Sequence, residues 1–114
     1  MQSTEHDVLI SSTDSLPGFR VEKYVGLVWA SSARCLDSAS EVGAMLKSLT
    51  GGELPAFRKL LNEGRHAVVH ELAQNAKARG ANAVIGVRLE STAIVQGTLD
   101  VYAYGTAVVV KKER

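Results

Sequence analysis

Hydrophobic and polar positions follow a two-residue period near both ends of the chain. Residues 8–10 form a short apolar run before a polar stretch and a Leu-Pro-Gly turn signal, which predicts a short strand at a sheet edge. Residues 19–29 alternate cleanly up to Tyr24 and are apolar on both sides after it, which predicts a longer strand covered on both faces. Two further strands are predicted at 83–95 and 99–110, joined by a hairpin turn.

Strict alternation along residues 19–29 predicts which side chains share a face of the sheet. One face would carry Phe19, Val21, Lys23, Val25, Leu27 and Trp29, and the other Arg20, Glu22, Tyr24, Gly26 and Val28.

The middle of the chain has a helical period instead. Ser38 and Glu41 form a capping box ahead of apolar residues at helical spacing, which predicts a short helix ending near Leu49. A longer helix is predicted to begin at Pro55, where a missing N–H does no harm, and to end at Gly80.

Placing each residue of the longer helix about 100° around its axis separates an apolar stripe from a polar one. The apolar stripe consists of Phe57, Leu60, Leu61, Gly64, Val68 and Leu72, and the residues facing away are Lys59, Glu63, His66, His70, Gln74 and Lys77. Glu71 and Asn75 break this rule, because both are predicted to project into the apolar stripe.

The predicted order of elements is β, β, short α, long α, β, β within a single domain, 1–114. This order is typical of an α+β fold in which one long helix covers one face of an antiparallel sheet. Because the strands are apolar on both sides over much of their length, we expect further copies of the chain to cover the second face, as in a cyclic homo-oligomer.

Composition excludes several classes of partner and location. Thirteen basic and twelve acidic residues give the 114-residue chain a formal charge of +1, so nothing draws it to nucleic acid by charge alone. Cys35 is the only cysteine, which rules out an internal disulfide and favours a reducing compartment. No apolar run approaches the roughly 20 residues of a membrane span, and no signal-peptide pattern precedes Val8. We therefore expect a cytoplasmic protein with no nucleic-acid or membrane partner.

Several motifs resemble one protein family over nearly the whole chain. The stretch Ala-Arg-Gly-Ala-Asn-Ala-Val-Ile-Gly-Val at 78–87, the strand at 21–28, the glycine pair at 51–52 and the Gly-Thr-Ala-Val-Val run at 105–109 resemble the YbjQ family, also called UPF0145, of uncharacterised proteins.

The resemblance implies a small α+β subunit of a homopentamer or of a decamer made of two such rings, and it brings a "putative heavy-metal-binding" label. The chain departs from the family pattern after the glycine pair. Glu53 and Phe57 stand where the family often has arginine and tyrosine.

His66, His70 and Glu71 are the candidate metal ligands. The two histidines lie four residues apart on one helix, a spacing that lets two imidazoles share a metal. No third ligand has an obvious spacing, and two solvated histidines on an exposed helix face are the more common arrangement.

Arg65, Glu71 and Asn75 are candidates for a buried polar or intersubunit site. A carboxylate on a buried stripe is costly unless it is paired. Arg65 faces a different side of the helix from Glu71, so we expect Arg65 to pair with a neighbouring element or subunit. A structural salt bridge of this kind is one alternative, and a ligand-binding polar site near a ring axis is the other.

The strand aromatics Tyr24, Trp29, Tyr102 and Tyr104 fit core or interface packing, or stacking of a planar ligand between subunits. No nucleophile–base pair, cofactor loop or pair of catalytic carboxylates is recognisable. We therefore expect no enzyme activity and no cofactor beyond a metal ion. The sequence favours a homo-oligomer with a binding or scaffold role, and heavy-metal binding is the alternative.

Overall fold

The computed structural model describes residues 7–35, 55–95 and 98–113. Its elements in chain order are β1 (Leu9–Ile10), β2 (Phe19–Cys35), α1 (Pro55–Ala78), β3 (Ala83–Val95) and β4 (Thr98–Lys112). The α+β class is therefore confirmed. The predicted short helix ending near Leu49 lies outside the described residues.

The four strands form one sheet in the order β1-β3-β4-β2. β4 pairs antiparallel with both β2 and β3, whereas β1 runs parallel to β3. The prediction of an antiparallel sheet is thus wrong for this pair, and the sheet is mixed. The chain between β1 and β3 includes α1, and a crossover of this kind is what parallel neighbours require. The prediction that the first strand lies at an edge is confirmed.

Two irregularities in the pairing of β2 with β4 change the predicted faces of β2 in the segment between them, whereas Leu27 and Trp29 lie on the predicted side with Phe19. The register shifts between Val21 and Lys23 and again between Tyr24 and Gly26. An extra residue in one strand reverses the faces of the residues after it. Phe19 and Val21 therefore pack in one hydrophobic cluster and Val25 in another, although strict alternation places all three on one side.

Helix α1 packs on the sheet as its periodicity predicts. Val68 and Leu72 are fully buried, as are the neighbouring small residues Ala73 and Ala76. The residues predicted to face away, Lys59, Glu63, His66, His70, Gln74 and Lys77, are all exposed. Gly64 lies against β4, where an added Cβ would approach the Val101 Cγ2 atom to 2.5 Å. A small residue here therefore sets how closely the helix approaches the sheet.

The core has two parts, on opposite faces of the sheet. The larger cluster joins α1 to all four strands. The smaller one consists of Leu16, Ala83, Ile85, Val108 and Val110, with Leu9, Phe19 and Val21 packed against it. The turn that contains Leu16 thus covers one end of the second face. The prediction that other copies of the chain cover this whole face is therefore wrong for the end beside Leu16.

Candidate functional site

The uncovered part of the second face carries large exposed side chains. Val28, Ala30 and Ala103 pack in the core cluster with α1, so the residues that alternate with them point to the opposite side. On that side Trp29 lies directly across from Tyr104, and the exposed fractions of these two residues are 64% and 37%. We name the surface formed by Leu27, Trp29, Arg88, Glu90, Asp100, Tyr102 and Tyr104 the open face.

Glu90 is the central carboxylate of the open face. Its Oε1 atom accepts a hydrogen bond from the Tyr102 hydroxyl at 3.4 Å, and its Oε2 atom accepts one from the Tyr104 hydroxyl at 3.2 Å. The negative charge of Glu90 disfavours a phenolate beside it, and this repulsion, together with the hydrogen bond, raises the pKa of Tyr102 above its ordinary value. The Tyr102 hydroxyl therefore remains a hydrogen-bond donor at neutral pH.

The Arg88 guanidinium of the open face is hydrogen-bonded to backbone carbonyls. Arg88 lies across from Tyr104, but its Nη1 atom donates to the carbonyl oxygens of Ser12 at 2.9 Å and Val87 at 3.0 Å. The guanidinium thus joins the first loop to β3, and the hydrogen bonds to Glu90 come from the two tyrosine hydroxyls.

Glu71 and Asn75 bond to the outer edge of β2. The Ser31 N–H donates to the Glu71 Oε2 atom at 3.3 Å, and the Asn75 Nδ2 atom donates to the Trp29 carbonyl at 3.0 Å. Both residues are exposed within the chain, so neither projects into the buried stripe of the helix as predicted, and an intersubunit site at these residues stays a prediction. The helix turns its flank towards the strand edge at these positions, where polar groups meet backbone groups that have no sheet partner.

Arg79 continues the same contact beyond the end of α1. Its Nη1 atom donates to the Leu27 carbonyl at 2.5 Å and its Nη2 atom to the Val25 carbonyl at 3.3 Å. Gly26 leaves room for this guanidinium, since a Cβ added at Gly26 would lie 3.3 Å from the Arg79 Nη2 atom. The φ of Gly26 is +128°, a value that disfavours residues other than glycine. Sequence reasoning missed Arg79, although its spacing of four residues from Asn75 was a usable signal.

Glu71, Asn75 and Arg79 together form what we name the edge clamp. Four residues of helix rise about 6 Å, and two residues of strand advance about 6.6 Å. Side chains four residues apart on the helix can therefore contact every second residue of β2. The clamp also borders an open groove of about 270 Å³, which is lined by Leu27, Val28, Trp29, Asn75 and Arg79.

The residues predicted to bind a metal all lie on one helix. His66 and His70 lie on the exposed side of α1, while Glu71 is directed to β2. Within residues 7–35, 55–95 and 98–113, no three histidine, cysteine or acidic side chains are grouped as a metal site. Metal binding by these residues remains a prediction.

Arg65 lies on the exposed surface of α1, and its Nη1 atom donates to the Asn62 Oδ1 atom at 3.2 Å. The structure does not bring it to Glu71 or Asn75.

The Gly-Ala-Asn motif after α1 has a structural role. Gly80 adopts a φ of +88°, and the Gly80 and Ala81 N–H groups donate to the Lys77 and Ala76 carbonyls, which closes the helix with a Schellman motif. Asn82 then bonds to Val110 through both its amide nitrogen and its amide oxygen, at 2.9 and 2.8 Å. This part of the sequence resemblance therefore ends the helix and then binds the chain to β4.

These features define a small α+β domain with a mixed sheet, one covering helix and an aromatic open face. A family model described as "putative heavy-metal-binding" matches residues 8–111. This chain belongs to that family, known as YbjQ or UPF0145, as the resemblance in its motifs implied.

Curated relatives agree with this assignment. A UPF0145 protein of Streptomyces coelicolor is 43% identical over 106 residues, covering 93% of this chain and 100% of the relative. One from Clostridioides difficile is 39% identical over 106 residues, with 93% and 95% of the two chains covered. One from Thermus thermophilus is 35% identical over 102 residues, with 90% of each covered.

A solved structure supports the fold alone. A Pediococcus pentosaceus protein of unknown function from the DUF74 family matches with a TM-score of 0.57 at 19% identity, covering 91% of this chain and 98% of the other. Across the described residues, α1 lacks the apolar length that a bilayer-spanning helix needs.

Proposed function

We propose that this chain is the subunit of a cytosolic homo-oligomeric ring that acts by binding or as a scaffold and not as an enzyme. The observation that carries the proposal is the exposure of Leu27 and Trp29, at 58% and 64%, beside Tyr104 on the open face. Contiguous exposed apolar surface of this kind is typical of a protein–protein contact. The family resemblance supplies the subunit number, five, and leaves a decamer of two rings as a further state.

The test is the mass of the native particle. Light scattering or native mass spectrometry at micromolar concentration should give five or ten times the chain mass of 12.2 kDa. Trp29→Ser removes the largest exposed ring from the open face and should shift the protein towards smaller species. The control is Glu113→Ser, which changes an exposed residue beyond the end of β4. A wild-type monomer at micromolar concentration would overturn the proposal.

Heavy-metal binding is the alternative function, with His66, His70 and Glu71 as ligands. It is supported by the family description and by two exposed imidazoles one helical turn apart. Calorimetric titration of zinc and copper into the wild type and a His66→Ala/His70→Ala variant separates the two functions. Equal binding by both proteins would remove these residues as ligands.

A further inference from the structure

The outer surface of α1 is basic. Its charged side chains are Arg58, Lys59, Glu63, Arg65, Glu71 and Lys77, all exposed, so basic groups outnumber acidic ones by four to two. Glu71 is also hydrogen-bonded to the edge of β2. The helix layer of the domain therefore presents positive charge to its surroundings.

The open face has the opposite character. Glu90 and Asp100 supply two carboxylates, whereas the guanidinium of Arg88 is held by the carbonyls of Ser12 and Val87. The tyrosine and tryptophan rings of the open face add π-faces, which attract cations. The two outer surfaces of the domain are thus complementary in charge.

Such complementarity favours a second copy of this chain as the occupant of the open face. Two different patches that meet head-to-tail form a heterologous interface, and heterologous interfaces generate closed rings when the rotation closes. The outer surface of α1 can also pack on the aromatic open face of another copy. The carbon stems of arginine and lysine cover aromatic rings while their charged ends reach carboxylates.

Among the cations on or next to α1, several are engaged within the chain. Lys77 forms an ion pair with Asp7 at 3.2 Å, and Arg79 holds the carbonyls of β2. Arg65 bonds to Asn62, a neutral acceptor, and has no carboxylate partner in the described parts of the chain. Its planar guanidinium can bind a carboxylate with two hydrogen bonds while it stacks on an aromatic ring.

Glu90 is the matching acceptor. Its two oxygens each accept one hydrogen bond from a tyrosine hydroxyl, which orients the carboxylate. A carboxylate oxygen has room for a second donor.

We propose that α1 of one copy packs on the open face of the next copy, with Arg65 bound to the Glu90 carboxylate between Tyr102 and Tyr104. This inference rests on the proposed ring and names the surfaces that build it. It assigns Arg65, predicted from the sequence to pair with a neighbouring element or subunit, to a particular partner group.

A charge exchange in the full-length protein tests the pairing. Glu90→Lys and Arg65→Glu each place like charges opposite one another, and each should raise the concentration at which the ring half-dissociates by about tenfold or more. The double variant restores opposite charges and should recover most of the lost association. The matched control is Glu90→Lys/Lys59→Glu, which has the same net charge as the exchange and should not recover it. Circular dichroism checks that each variant is folded.

The outcomes separate this inference from the proposed function. A wild-type monomer would overturn the ring itself. A wild-type ring whose single variants associate normally would overturn only the assignment of the open face. Equal recovery by the Lys59→Glu control would overturn the specific role of Arg65, because general charge compensation would then account for the effect.

Discussion

At the scale of single residues, small side chains and one amide set the spacing of the fold. Gly64 brings the helix close to β4, and Gly105 lies where an added Cβ would approach the Ile85 carbonyl to 3.0 Å. The Asn82 side chain donates to the Val110 carbonyl and accepts from the Val110 N–H, as the backbone of a neighbouring strand would. These contacts leave little freedom for larger or apolar replacements.

Asn82→Ala should lower the free energy of unfolding by about 1–3 kcal/mol, because two backbone groups of Val110 lose their partner. Urea denaturation at equal protein concentrations measures the change. Asn62→Ala is the control, since it removes an amide from the exposed helix surface, and it should cost less than about 0.5 kcal/mol. Similar losses in both variants would contradict the structural role assigned to Asn82.

At the scale of elements, the relation between α1 and β2 distinguishes this fold from a simple helix on a sheet. β2 lies at an edge, and an exposed edge invites pairing with other chains. The edge clamp covers the stretch from Val25 to Ser31 with side-chain hydrogen bonds. The helix thus stabilises the sheet by burying one face and also protects its edge.

Arg79→Ala should promote aggregation on heating, because it uncovers the carbonyls of Val25 and Leu27. Light scattering during a temperature ramp should detect particles at a lower temperature than in the wild type. Arg79→Lys keeps the charge but loses the fork that reaches two carbonyls, so an intermediate result is expected. Gln74→Ala serves as the control on the same helix. If Arg79→Ala behaves like this control, the edge is protected in another way.

At the scale of the whole molecule, the two outer surfaces differ in chemistry. One is a polar, basic helix, and the other is an aromatic sheet face with a central carboxylate. A domain with two such surfaces is suited to repeated head-to-tail association.

Trp29 is the only tryptophan in the chain and lies on the open face, so its fluorescence should report assembly. The emission maximum should lie at shorter wavelength in the ring, where a neighbouring copy excludes water, and move to longer wavelength on dilution. The shift should follow the particle mass measured at the same concentrations. Unchanged emission across dissociation would place Trp29 outside the contact.

Periodicity predicted the long helix and its two faces correctly, since a 3.6-residue repeat depends only on local geometry. Strict alternation misplaced Val25 relative to Phe19, because the bulges in β2 arise from pairing with β4, which local sequence does not encode. The helical wheel wrongly placed Glu71 and Asn75 in the buried stripe of α1. A helical wheel contains no information about a strand edge beside the helix.

By itself, the sequence determined the α+β class, the helix with its caps and the family to which the chain belongs, because these depend on local spacing and on motifs. Only the tertiary structure decided that β1 runs parallel to β3, that Arg79 and its neighbours bond to β2, and that Glu90 lies between two phenols. Each of these features joins residues distant in the chain, and strand order and register bring them together.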